Sequence, residues 1–348
     1  MVIKGKSPLF LFGISIIVFH FFSFILVAQN TDWMFACGKS SLNPTPAFNK
    51  YLFTGNDEGI LYAVDPQKGK SLWSFNAESA ILQPPLVNEN VAFLCSKNGD
   101  VFALNADNGD LIWKQGFSQK FQATPVIAGE LLIVLSREYL MGLDKEVGID
   151  LWRTEVKITG TPKIQLLDGK LFFSDDMSVY SFDAKNGALL WKYETNVFGL
   201  SDICCANGLG YMISGDRLIC IDLTKGTEKW KKKMEYPQKP KFFNIPVVID
   251  NLLVVTYLSD VIAFDPQKGT EIWTYETKST NELFHAEFMN LMIWIPERGK
   301  TMYLLSPEKG KKGKPMLFDE PMNCHPVFDK TKLFYINGDG KLLSVKLL

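Results

Sequence analysis

The stretch GILYAVDPQKGKSLW, Gly59 to Trp73, decides how the chain folds. Leu61-Tyr62-Ala63-Val64 joins aromatic and β-branched residues without a helical period, the pattern of a buried strand. Asp65 ends it, and Pro66-Gln67-Lys68-Gly69 supplies turn chemistry. Pro presets φ, the Asp carboxylate bonds the turn's own amides, and Gly takes the position of positive φ. A second strand, Ser71 to Phe75, carries Trp73, placed to cover a neighbouring unit.

The pattern recurs as DVFALNADNGDLIW (100–113), YLMGLDKEVGIDLW (139–152), SVYSFDAKNGALLW (178–191), RLICIDLTKGTEKW (217–230) and DVIAFDPQKGTEIW (260–273). The tryptophans at 73, 113, 152, 191, 230 and 273 are 40, 39, 39, 39 and 43 residues apart. A fixed period of this size means a solenoid, propeller or array. Two copies are degraded: TMYLLSPEKGKKGKPML (301–317) has Leu317 where Trp is expected, and GKLLSVKLL (340–348) stops after its strand.

Trp33, 40 residues before Trp73, sets the topology. The chain begins with a lone Trp-bearing strand and ends with a copy that lacks one, so the first strand completes the last unit and closes a ring. The expected fold is all-β, an eight-bladed propeller of four-stranded antiparallel blades, with seven docking tryptophans: Trp33, Trp73, Trp113, Trp152, Trp191, Trp230 and Trp273. Closure protects the edges that an open array exposes. Upstream in each unit a Gly or polar turn feeds an apolar strand, as in GELLIVLS (129–136), and no segment of the mature chain sustains an apolar helical period.

Residues 1–28 are of another kind. Lys4 and Lys6 precede an apolar run from Leu9 to Ala28, the layout of a secretory signal cleaved after Ala28, or alternatively of an uncleaved anchor. The propeller domain is then 29–348, and the protein is exported to the periplasm or cell envelope. Cys37 lies well past the apolar run, with Asp32 between, and does not look like an acylation site.

The unit of small residue, x, Asp, three residues, Gly, three residues, Trp resembles the tryptophan-docking repeat of pyrroloquinoline-quinone-type (PQQ-like) propellers, over essentially the whole mature chain. A WD40 repeat fits less well, for no unit pairs Gly-His with Trp-Asp. The resemblance implies one of two functions. One branch holds the quinoprotein alcohol dehydrogenases; another, typified by BamB, is non-enzymatic and helps the machinery that inserts outer-membrane proteins. Calcium–quinone dehydrogenases need metal ligands, a base and a quinone platform on inserted loops, and units of 39 to 43 residues leave little room for them. The expectation is a monomeric, non-enzymatic binding scaffold with protein partners, such as the outer-membrane assembly machinery, and no cofactor or bound metal. The alternative is a propeller that binds PQQ or another small ligand in its central channel.

Thirty-seven basic against thirty-eight acidic side chains give no field for nucleic acid. Lysines 229, 231, 232, 233, 239 and 241, and lysines 309, 311, 312 and 314, cluster at the rims of blades five and seven. They read as solvated edges guarded against stray pairing, or as a patch for an acidic partner. Cys204 and Cys205 are vicinal, as in the quinoprotein dehydrogenases, but their register marks inner-strand apolar positions, where cysteine acts as a small hydrophobe. Cys37 and Cys324 fall in connectors, where a disulfide is open in an oxidising compartment.

Alignment of the inner strands on a proline slot (Pro46, Pro85, Pro125, Pro162, Asp202, Pro246, Ala286, Pro326) brings Thr45, Pro84, Thr124, Thr161, Ser201, Ile245, His285 and His325 to one ring at the channel mouth. His285 and His325, the mature chain's only histidines, fall on adjacent blades, with hydroxyls opposite. Two imidazoles alone make a poor metal site; Glu287 or Cys324 would have to turn inward to complete it.

Overall fold

The structure is a computed structural model and describes residues 28–29, 31–39, 45–234, 244–249, 251–257, 259–277, 279, 283–289, 292–311 and 315–347. The expected export segment falls outside these residues apart from Ala28, as do Lys239, Lys241, Lys312 and Lys314.

Eight sheets form eight blades, and in blades 1 to 7 the four blade strands follow one another in the chain with the innermost first. Blade 1 runs from Ala47–Phe48 to Ser71–Asn76, blade 2 from Leu86–Asn88 to Leu111–Gly116, and blade 3 from Val126–Ala128 to Asp150–Glu155. Blade 4 runs from Gln165–Leu167 to Leu189–Glu194, blade 5 from Cys204–Ala206 to Thr227–Lys233, and blade 6 from Val247–Ile249 to Glu271–Glu276. Blade 7 runs from Glu287–Met289 to Met316–Met322. Blade 8 takes its inner three strands, Val327–Phe328, Lys332–Ile336 and Lys341–Lys346, from the end of the chain and its outer strand, Thr31–Ala36, from the beginning. Trp33 stands opposite Ser344, Met34 opposite Leu343 and Phe35 opposite Leu342, so the expected eight-bladed ring closes on the expected strand.

The repeat motif has a mechanical explanation at each position. In blade 1 the Asp65 carboxylate accepts the amides of Gln67 and Lys68 at 2.7 and 3.1 Å, and Gly69 closes the turn at φ 63°. The small residue two before the Asp, or before Asn105 in blade 2, stands opposite the tryptophan: Ala63 faces Trp73, Ala103 faces Trp113, Gly142 faces Trp152 and Cys220 faces Trp230. The register then skips one residue, so a β-bulge sits just before the Trp and turns that residue outward. The bulge residues Leu72, Ile112, Leu151, Leu190 and Ile272 are 44–54% exposed as a result.

Each indole crosses to the next blade's turn. Trp73 Nε1 donates to the Ala106 carbonyl at 3.1 Å, and a Cβ on Gly109 would stand 2.7 Å from its ring. Trp113, Trp191, Trp230 and Trp273 donate likewise to Lys145, Leu223, Pro266 and Pro307, and Trp33 of blade 8 donates to Pro66 of blade 1. The same arrangement accounts for Leu317. The third and fourth strands of blade 8 come from opposite ends of the sequence, so no turn joins them and an indole from blade 7 has no seat. Ala28 and Gln29 instead pair in parallel with Leu317 and Phe318. The core is a ring of apolar layers between neighbouring blades, such as Phe53, Leu61 and Ile81 against Ala92, Leu94 and Leu104.

Candidate functional site

Because the strands alternate in direction, the start of every inner strand lies on the face opposite the Asp-to-Gly turns. The register fixes which residues share that level. Ala47, Leu86, Val126, Gln165, Cys204, Val247, Glu287 and Val327 are equivalent, since each pairs with the same position of its second strand. The slot one residue earlier is buried: Pro46, Pro85, Pro125, Ile164, Ile203, Pro246, Ala286 and Pro326. The ring before it is therefore Thr45, Pro84, Thr124, Lys163, Asp202, Ile245, His285 and His325. The structure places Thr45, Thr124, His285 and His325 on it, but not Thr161 or Ser201.

Pro162 invited the slip, because it imitates the slot two residues early; in blade 5 the displacement is one residue. Thr161 is exposed in the connector, whereas Ser201 is buried, its hydroxyl donating to the Asp202 carbonyl at 3.0 Å and accepting the Ile213 amide at 2.9 Å. The tryptophan period carries the correct register, since steps of 39 from Thr124 reach Lys163 and then Asp202. Two of the four hydroxyls expected opposite the histidines, Thr161 and Ser201, are thus replaced by a lysine and an aspartate, while Thr45 and Thr124 remain.

His285 and His325 stack, with ring centroids 3.7 Å apart and planes 6° from parallel. His325 Nε2 lies 3.3 Å from the His285 carbonyl oxygen, and Phe284 and His325 pack edge-to-face with ring centroids 6.1 Å apart. Glu287 turns to the pair: its Oε1 is 3.6 Å from His285 Nε2 and 3.8 Å from His325 Nε2. Burial, reinforced by His285 alongside, drives the His325 pKa down to about 3, so this ring is neutral at physiological pH. Burial raises the Glu287 pKa, but the hydrogen bond from His285 and the electrostatic influence of His325, His285 and Lys163 outweigh it and hold the carboxyl below its ordinary range. Cys324 takes no part. It is buried, and its sulfur accepts the Ile336 amide at 3.2 Å.

Three blades away, the Lys163 amide donates to Asp202 Oδ1 at 3.0 Å. Burial lifts the Asp202 pKa to about 6 against that bond and the Lys163 charge. Gln165 braces the same pair of blades by accepting the Cys205 amide at 3.0 Å and donating to the Ile203 carbonyl. All six cysteines are free thiols, and Cys204 stands in the slot of Leu86. Cys37 is buried against the Gly340 carbonyl, 3.2 Å from its sulfur, inside the closing blade.

The profile of the family described as outer membrane protein assembly factor BamB matches residues 30–109, 57–195 and 136–290, in step with the docked repeats. The chain belongs to this BamB family of PQQ-like propellers. BamB of Yersinia pestis is 22% identical over 205 residues, 53% of this chain and 52% of that protein. The chain thus spans about half the length of the curated relatives it matches. Among solved structures, BamB from Moraxella catarrhalis superposes with a TM-score of 0.73 at 16% identity, covering 92% of this chain and 100% of the other. A quinohemoprotein alcohol dehydrogenase from Pseudomonas putida HK5 gives a TM-score of 0.70 at 10% identity, covering 92% and 76%. At these identities the superpositions speak for the fold, which the BamB family shares with dehydrogenases.

Proposed function

We propose that this chain is a non-catalytic, monomeric binding scaffold of the cell envelope, exported through residues 1–28, with a BamB-like part in outer-membrane protein assembly. The observation that carries this function is the apolar arc on its rim. Leu72, Ile112, Leu151 and Leu190, the bulge residues of four consecutive blades, all face solvent, joined by Leu111, Ile149 and Leu189. The run of consecutive apolar bulges is broken at blade 5, where Lys229 takes the bulge position and Lys231, Lys232 and Lys233 follow, and the apolar position returns only as Ile272 of blade 6. An apolar arc bounded by charge on a regular rigid ring suits a protein partner that docks by its side chains. The near balance of acidic and basic residues argues against nucleic acid as that partner.

The second function, a propeller holding PQQ or another small ligand on its axis, draws on the convergence of Lys163, Asp202, His285, Glu287 and His325 at one mouth. Mass spectrometry of the purified protein under native and denaturing conditions separates the two. A scaffold shows the same chain mass in both and co-purifies with outer-membrane assembly components; a native mass heavier by a small molecule, with no protein retained, favours the ligand-binding function.

A further inference from the structure

We propose that His285, Glu287 and His325 form a site for one divalent transition metal ion of the zinc type. The three ligating atoms lie within 4.8 Å of one another, with Glu287 Oε1 3.6 and 3.8 Å from the two Nε2 atoms. Ligands of a tetrahedral Zn²⁺ at about 2.0–2.2 Å stand roughly 3.4 Å apart, so the carboxylate needs to approach each ring nitrogen by only a few tenths of an ångström. Two imidazoles and one carboxylate suit Zn²⁺ and its neighbours in the first transition row rather than Ca²⁺ or Mg²⁺, which require more oxygen ligands. The fourth position is left to water or to a donor entering from the axis.

The placement also points to a ligand. At the register of Glu287, blades 1, 2, 3, 6 and 8 carry Ala47, Leu86, Val126, Val247 and Val327. Packing at this level is met by those aliphatic side chains, by Cys204 in blade 5 and by Gln165 in blade 4, whose amide is bonded to the neighbouring strand, whereas Glu287 faces two imidazoles, an arrangement that an ion would use. His285 and Glu287 come from one strand and its lead-in, and His325 from the next blade, so rigid inner strands hold the set and little ordering is left for binding to supply. The parallel rings mark the motion that binding requires. An ion lying in the plane of one imidazole at 3.7 Å stacking stands outside the plane of the other, so the pair must splay for both lone pairs to point at it. This site is independent of the scaffold function and of the apolar rim.

The test is titration of the purified, untagged protein with Zn²⁺ by calorimetry and with Co²⁺ by visible absorption. One ion per chain is expected, with the Co²⁺ bands of a four-coordinate ion. Glu287→Gln, which keeps the shape of the side chain, is expected to weaken binding at least tenfold, and His285→Ala to abolish the Co²⁺ bands, with circular dichroism checking that both variants remain folded. Lys70→Met, an exposed position on the opposite face of the ring, is expected to retain one-to-one binding. Failure of the wild type to bind Zn²⁺, an unchanged affinity in Glu287→Gln, or loss of binding in Lys70→Met would overturn the site.

Discussion

Trp33 Nε1 donates to the carbonyl of Pro66 at 3.1 Å, and its indole occupies the space that a Cβ on Gly69 would need, 2.4 Å from the ring. This contact, with Phe35 packed edge-on against Tyr62 at 5.3 Å, joins the closing strand to the first complete blade. Lys332 adds to the seam, its ammonium 2.9 Å from Asp32 and 3.3 Å from the same Pro66 carbonyl. Trp33→Ala is expected to cost about 3 kcal/mol. Deletion of residues 29–39, which removes the whole strand and bares an edge, is expected to lower the melting temperature of the entire ring in one transition. A deletion variant that melts like the wild type would show that blade 8 does not depend on this strand.

The tryptophans are not equivalent. Trp113 is 8% exposed and donates to Lys145 at 3.0 Å, while the buried Nε1 of Trp152 has no hydrogen-bond partner, and Thr154 donates instead to Gly187 at 2.7 Å. Replacing each by Phe removes an N–H that is bonded in one case and unsatisfied in the other. Trp113→Phe should therefore cost about 1 kcal/mol more than Trp152→Phe in chemical denaturation, the net worth of one hydrogen bond plus the stranded carbonyl. Equal losses would contradict the difference in geometry.

Gly109 and Gly129 both adopt positive φ, 80° and 64°, but a Cβ on Gly109 would strike the Trp73 ring while one on Gly129 meets nothing within 4 Å. Gly129→Ala should cost about 1 kcal/mol of backbone strain. Gly109→Ala adds overpacking and should cost about 2–4 kcal/mol in all. Stability curves of the two variants, measured side by side, separate docking from turn geometry.

The architecture was legible because its signals are local and repeated. Strand, turn to Gly and Trp occur six times in one order, the turn opening with Asp in five copies and with Asn105 in the other, and the lone Trp33 against the Trp-less last copy already implied closure. The bulge before each Trp was not legible, since Leu72-Trp73 reads in sequence as plain strand. Nor was the reason for Leu317, which depends on blade 8 drawing its outer strands from two ends of the chain. At the channel mouth the histidines were found by their spacing, but Pro162 displaced the register and hid Lys163 and Asp202. A proline at a strand entry is a weaker ruler than an indole, because any loop tolerates a proline whereas the Trp seat needs its partner turn.

Asp202 gives the ring a pH dependence whose sign is fixed. Its carboxyl titrates near 6 in the folded protein, above its value in the unfolded chain, so ionisation opposes folding. The protonated form favours the fold below the unfolded pKa, and that benefit is lost as pH rises through about 6. Asp202→Asn, which can still accept the Lys163 amide, should raise the melting temperature at pH 7.5 and leave it nearly unchanged at pH 4. A variant less stable than the wild type at pH 7.5 would mean that the Lys163 charge outweighs burial.

The scaffold function requires the apolar rim to be the docking surface, and site-specific photocrosslinking in the intact cell envelope tests this most directly. A benzophenone side chain at Ile112 or Leu151, 49% and 54% exposed on blades 2 and 3, is expected to capture outer-membrane assembly components. The same group at Lys229 or Lys231, in the lysine run that interrupts the arc on blade 5, is expected to capture little. Equal capture at all four positions, or none from Ile112 and Leu151, would contradict the scaffold function.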